Sequence, residues 1–209
     1  MEPKISNTVL YSAGGLVLAY GLYRLFNKGF SFAAKYPRLY EVVIKGESKT
    51  YNDYNFYTNT GLKGNVDGKG SKYSPLDRPL TLYTVGQVKK MQTNPRNSIG
   101  QLFATGRYQI IPTTLIGLQK STGISDSALY GKVTQDRLIN AIIKDYRALS
   151  NYLNKSVPDT DANLRAAALD VAKIWSSVGT PGTNSSYYAP RERATTSTID
   201  VQKVLRSYR

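Results

Sequence analysis

Apolar residues fall along this chain in two patterns, one continuous and one periodic. The run from Ile5 to Tyr23 holds no charged residue. It approaches the ~20 residues that a helix needs to cross ~30 Å of hydrocarbon. Beyond it the spacing becomes helical. Pro37 suits a helix start, and Leu39, Val42, Val43 and Ile44 give an apolar face that ends near Gly46 and Glu47. Residues 59–75 are rich in Gly, Asn and Lys without a periodic apolar pattern, which predicts an exposed loop. Thr84 and Gln87 form a Thr-x-x-Gln capping box that opens a helix through Met91, and Asn94-Pro95-Arg96-Asn97 stops it. Gly106 to Ile111 reads as a short strand, and Pro112 starts a helix carrying Leu115 and Leu118. From Thr134 to Leu153 the stripe Leu138, Ala141, Ile142 and Leu149 predicts one long helix. A second long helix is expected over Asp161–Ser177 and a short last one over Ile199–Ser207.

These elements predict an α+β fold, mostly α, with a small β element and one preceding transmembrane helix. The expected organisation is an N-terminal anchor over 1–26, a linker over 27–35 and one domain over 36–209. The anchor is rich in Gly, Ala and Ser and would hold weakly. Tyr11, Tyr20 and Tyr23 suit the membrane interfaces, and Arg24 and Lys28 end the segment. A cleaved secretory signal or a buried core helix would show a similar run. A signal peptide, however, wants a stronger basic start and a small-residue cleavage site, where this chain gives Arg24-Leu25-Phe26-Asn27-Lys28, so an uncleaved anchor is favoured. Lys4 precedes the run while Arg24, Lys28, Lys35 and Arg38 follow it, which places the main domain on the cytoplasmic side.

With 209 residues and 41% hydrophobic composition, the chain can bury a core. It has no His and no Cys, which removes Ser-His-Asp and Cys-His nucleophilic chemistry, His or Cys zinc sites and disulfides. Hydrolysis, if this chain performs it, falls to carboxylates. No metal or organic cofactor is implied. Lys and Arg number 28 against 14 Asp and Glu, a formal charge of +14 that attracts polyanions: nucleic acid, anionic lipid or acidic wall polymers. The charge is spread along the chain without an aromatic RNA-binding signature, so dedicated nucleic-acid recognition is disfavoured.

Four glutamates are present. Glu2 precedes the apolar run, Glu192 sits in an Arg-Glu-Arg triplet, and Glu41 falls in the first turn of its expected helix, where an acid meets the helix dipole favourably. Glu47 stands where helix becomes loop. By spacing alone the reading as an ordinary solvated surface residue is favoured. A glutamate in a cleft with a raised pKa can protonate the departing oxygen of a glycosidic bond. Asp53 is the nearby candidate for a second carboxylate, and a residue in an Asx turn is the alternative reading.

Gly46-Glu47-Ser48 followed by Tyr51-Asn52-Asp53-Tyr54-Asn55 resembles the Glu-Ser-Gly-Gly…Tyr-Asn-x-Tyr-Asn signature of phage and bacterial muramidases of the lysozyme-like superfamily. That group includes lambda-type endolysins and virion-associated transglycosylases. The segments Pro79–Val88, Gly106–Leu115, Gln135–Leu138, Ala172–Val178, Ser186–Tyr188 and Ile199–Leu205 are similar to further motifs of the group, in order, over residues 38–208. Lys49-Thr50 departs from the pattern, which has glycines there. The resemblance implies a lysozyme-like domain with Glu47 as catalytic general acid. It places Tyr54, Asn55, Tyr108, Gln109 and Tyr188 at the glycan groove, with Tyr187 nearby. Core packing is the competing role for Tyr108 and Tyr188, and Arg107 reads as a structural ion-pair former. The implied activity is a membrane-anchored peptidoglycan glycosidase, a muramidase or lytic transglycosylase, carried in a bacteriophage virion membrane and used in entry. Its partners would be peptidoglycan glycan strands, lipid through residues 5–23 and other virion proteins. A basic, non-catalytic virion membrane protein with the same body, or a signal-anchor endolysin for host lysis, are the alternatives.

Overall fold

The structure, a computed structural model, describes residues 35–48, 53–59, 76–93, 102–189 and 193–209. The elements in order are α1 (Pro37–Ser48), β1 (Tyr57–Asn59), a 3-10 turn (Leu80–Leu82), α2 (Val85–Thr93), β2 (Leu102–Thr105), α3 (Pro112–Thr122), α4 (Lys132–Asp145), α5 (Arg147–Leu153), α6 (Asp161–Ile174) and α7 (Thr198–Arg206). The described fold is therefore α+β and mostly helical. Among the described residues no helix is long and apolar enough to cross a membrane. The expected anchor, most of the linker, the loop over 60–75 and the Asn94–Asn97 stop lie outside the described residues.

Local chemistry explains where several helices begin. Pro37 occupies the first position of α1. At the start of α2 the Thr84 hydroxyl accepts from the Gln87 amide at 3.2 Å while the Gln87 side chain accepts from the Thr84 amide at 2.9 Å. Two backbone donors that the helix itself cannot satisfy are thus paired reciprocally. Glu41 is the fifth residue of α1 rather than part of its first turn, because the helix starts at Pro37.

Around these elements the core closes mainly through helix packing. α6 carries the fully buried Ala167, Ala168 and Ala172, whose small side chains let α5 and α7 approach it closely. Leu39, Tyr40 and Val43 of α1 are fully buried, and α1 packs against α7. Buried tyrosines need hydroxyl partners, and here they have them. Tyr40 donates to Asn140 at 3.0 Å, Tyr152 donates to Asp159 at 2.5 Å, and Tyr130 pairs with the Thr105 hydroxyl at 3.1 Å.

Two expectations from the pattern are corrected. The single helix over Thr134–Leu153 is two helices broken at Tyr146, whose backbone is extended (φ −98°, ψ 94°). The cause lies on another element: the buried Asp170 of α6 accepts the Ala148 amide at 3.0 Å and the Leu149 amide at 3.1 Å, capping α5 from outside. Asp170→Ala strips that cap and is expected to lower stability by about 1–3 kcal/mol. Asp170→Asn, which keeps an acceptor, should recover most of the loss in thermal unfolding; an alanine variant melting with wild type would remove the capping role.

The second correction concerns Gly106–Ile111. The strand lies one step earlier, at Leu102–Thr105, and pairs antiparallel with β1, Tyr57 opposite Thr105. Residues 106–109 form the turn that brings Ile110 back beside Thr105. Gly106 (φ 73°) and Gln109 (φ 52°) are left-handed, which ends the extended backbone. Gly106 is further constrained because a Cβ there would sit 2.2 Å from the Gln135 side-chain oxygen.

Candidate functional site

Glu47 is the penultimate residue of α1; its side chain lies outside the described residues. The preceding turn of α1 abuts the segments around Ser177 and Thr196, which are joined by a parallel bridge between Val178 and Thr196. The Thr195 hydroxyl donates to the Gly46 carbonyl at 3.1 Å, and the Thr196 amide donates to the Ser177 carbonyl at 2.8 Å. A Cβ on Gly46 would fall 1.7 Å from the Thr196 hydroxyl oxygen, so glycine is what lets the helix end lie this close. The backbone that presents position 47 is therefore tied to residues nearly 150 positions later in the chain.

Asp53, Tyr54 and Asn55 form a turn leading into β1. The Asp53 carboxylate accepts the Asn55 amide at 2.8 Å and the Asn55 side-chain NH2 at 3.1 Å, an Asx turn. Asn55 is used from both ends, since its oxygen also accepts the Thr81 amide at 3.0 Å and the Thr81 hydroxyl at 2.9 Å. Asn55 thus locks the turn to the 3-10 segment.

Behind this turn is a polar cluster that the sequence-level reading did not assign. Tyr54 donates to Asp136 at 2.8 Å, Tyr108 donates to the same oxygen at 2.6 Å, and Arg107 donates to the Tyr54 hydroxyl at 2.9 Å. Asp136 is 1% exposed. Burial raises the Tyr108 hydroxyl pKa well above the ordinary tyrosine value, and its hydrogen bond to Asp136 and that carboxylate's charge add to the effect. The Tyr54 pKa is raised as well, mainly by burial. Beside them, the buried Gln135 side chain accepts the Arg107 amide at 2.9 Å and donates to the Tyr54 carbonyl at 2.9 Å and the Tyr130 carbonyl at 2.8 Å. Gln135 and Asp136 share the inward side of α4 with Leu138, Ile139, Ile142 and Ile143, all buried. Polar residues in register with an apolar helix stripe were the signal available in the sequence for this cluster.

The residues assigned to a sugar groove consequently divide. Tyr108 is 3% exposed, its ring between those of Tyr40 (5.1 Å) and Tyr54 (6.3 Å), so it belongs to the core. Its expected strand is a turn, which directs the ring inward. Arg107 serves Tyr54 by hydrogen bond and lies over its ring at 5.3 Å, and it has no salt bridge among the described residues. Gln109 is half-buried and donates to the Gly106 carbonyl at 2.8 Å, holding its own turn. Tyr188 is 64% exposed, packs edge-to-face on Tyr187 at 5.3 Å and donates to the Lys173 carbonyl at 2.5 Å. Tyr54 and Asn55 stand together in the turn after α1, whereas Tyr188 is anchored on the end of α6. Among the described residues no group of His, Cys, Asp and Glu could hold a metal ion.

Comparison with known proteins adds no relative: no family model, curated protein or solved structure matches the chain.

Proposed function

We propose that residues 36–209 form a lysozyme-like domain that cleaves the β-1,4 bond between MurNAc and GlcNAc in peptidoglycan, with Glu47 as its general acid. The observation that most supports this is the placement of position 47: a carboxylic acid at the end of a core helix, next to the Gly46 turn clamped by Thr195 and Thr196, and ahead in the chain of the Asp53–Asn55 turn and the two-stranded sheet of β1 and β2. The ordered motifs over residues 38–208 supply the substrate class.

In this reading Glu47 protonates the oxygen that bridges two sugars as the bond to the anomeric carbon breaks. Asp53 is engaged in its Asx turn, which favours a route that asks nothing of a second carboxylate. The same glutamate, now ionised, takes the proton of the incoming nucleophile. That nucleophile is water in hydrolysis and the muramoyl 6-hydroxyl in transglycosylation, which leaves an anhydro ring. The Tyr54–Arg107–Asp136 cluster holds the Asp53–Asn55 turn in place. The apolar run at residues 5–23 would keep the enzyme on the membrane of a phage particle for use in entry, and the charge of +14 would draw it to acidic wall polymers.

Mass spectrometry of sacculi digested by the purified protein tests the reading. Disaccharide peptides ending in reducing or anhydro-MurNAc are expected, and the ending identifies the nucleophile. Absence of any released muropeptide, together with steeply salt-dependent DNA binding, would overturn it in favour of a non-catalytic basic protein.

A further inference from the structure

A groove of about 580 Å3 runs between the α4–α5 corner and α6, outside the turn that follows Glu47. We propose that it is a second saccharide-binding site, one that grips an amide-bearing glycan strand away from the position of cleavage; the proposal rests on the glycan-cleaving reading. Its volume falls within the ~300–1,000 Å3 of small-molecule sites.

Ala148, Val157 and Ala166 supply the apolar part of the lining, and the two alanines are small enough to let a sugar ring approach the backbone. Tyr146 lines the groove because the break between α4 and α5 turns that residue out of the helix. The tyrosine pair 187 and 188 stands beside the groove, because the Tyr188 hydroxyl donates to the carbonyl of the lining residue Lys173 at 2.5 Å. That pair is held before any ligand arrives, by the Tyr188 hydrogen bond to Lys173 and the Lys173 ammonium 6.0 Å from the Tyr187 ring. Ordering aromatic side chains in advance lowers the entropy cost of stacking sugars on them.

The polar lining matches N-acetylated sugars. Asn151 lines the groove with no side-chain hydrogen bond to another described residue, which leaves its amide for an acetamido group. Asn163 donates from its side chain to Pro158 at 2.9 Å and keeps its oxygen toward solvent or ligand. The Arg147 guanidinium has no ion-pair partner among the described residues, so it is available to the lactyl carboxylate of a muramic acid. Asp170 is already committed to capping α5 and to Lys173 at 3.3 Å, and it acts as wall rather than ligand. The lining thus joins an aromatic edge and two amides to Arg147, with the Asp145 carboxylate two residues before it, a set that suits a glycan rich in acetamido groups with a muramic carboxylate placed toward Arg147 and away from Asp145.

The test is a titration of the full chain carrying Glu47→Gln, in detergent micelles, with a GlcNAc–MurNAc tetrasaccharide, followed by backbone amide shifts. Saturable shifts at Tyr146, Asn151, Asn163 and Ala166 are expected. Tyr146→Ala and Asn151→Ala should each weaken binding in the groove about tenfold or more, the cost of one well-packed contact. Shifts confined to residues 53–56 and 193–196, or unchanged affinity in both variants, would overturn the groove. Two failures are distinguishable: if the wild type releases muropeptides while the groove stays silent, only this proposal falls, and if no part of the chain responds to the sugar, the glycan reading falls with it.

Discussion

Glu47→Gln is expected to reduce release of muropeptides from sacculi by about 10²–10⁴-fold, the contribution of a general acid, with little change in melting temperature. The amide is close to the carboxylic acid in size and shape but cannot give up a proton to the bridging oxygen. Position 47 lies in the last turn of α1, after the buried Leu39, Tyr40, Val43 and Ile44 that hold the helix in the core. The substitution therefore leaves the packing of α1 intact, and stability and activity should separate. A zymogram with equal clearing by the two proteins would remove Glu47 from the reaction. A variant that loses activity and melts early would show instead that Glu47 holds the helix end.

Asp136→Ala carries the largest expected loss of stability. One carboxylate oxygen accepts from both Tyr54 and Tyr108, and Arg107 reaches Tyr54 from the far side. Removing the acceptor leaves two hydroxyls without their partner, at about 1–3 kcal/mol each where no water can replace it. For a protein of this size each kcal/mol moves the melting temperature by about 2–4 °C, so a drop of about 4–24 °C is expected. Asp136→Asn, which keeps an oxygen acceptor in the same place, should fall between alanine and wild type. Thermal unfolding of the two variants decides the matter: an alanine variant within about 2 °C of wild type, below one kcal/mol on that scale, would mean that the cluster adds nothing to stability. The same experiment bears on function, because the cluster holds the Tyr54–Asn55 turn that follows Glu47.

Much of the helical framework was legible along the chain, for reasons that are local. Pro37 and Pro112 pre-set the backbone at helix starts, and the Thr84 and Gln87 capping box satisfies donors three residues apart. The apolar stripe Leu138 and Ile142 faces the core as its spacing requires. The candidate site was legible only in part. Glu47 stood out as a glutamate where helix gives way to loop, and the Asp53 turn was present as an alternative. Tyr108 was placed in a strand, because a turn built on left-handed Gly106 and Gln109 has the same apolar and polar alternation as a short extended run.

What the sequence determined by itself is a mostly helical chain with defined helix starts, an excess of positive charge, and a lack of His and Cys that removes Ser-His-Asp, Cys-His and His- or Cys-zinc chemistry. The tertiary structure alone decided where α4 breaks, which way Tyr108 faces and what clamps the turn before Glu47. Each of those depends on one side chain meeting a distant backbone or hydroxyl: Asp170 with Ala148 across 22 positions, Asp136 with Tyr108 across 28, Thr195 with Gly46 across 149. A pairing between distant residues leaves no periodic trace on either segment, because it is made only when folding brings the two together.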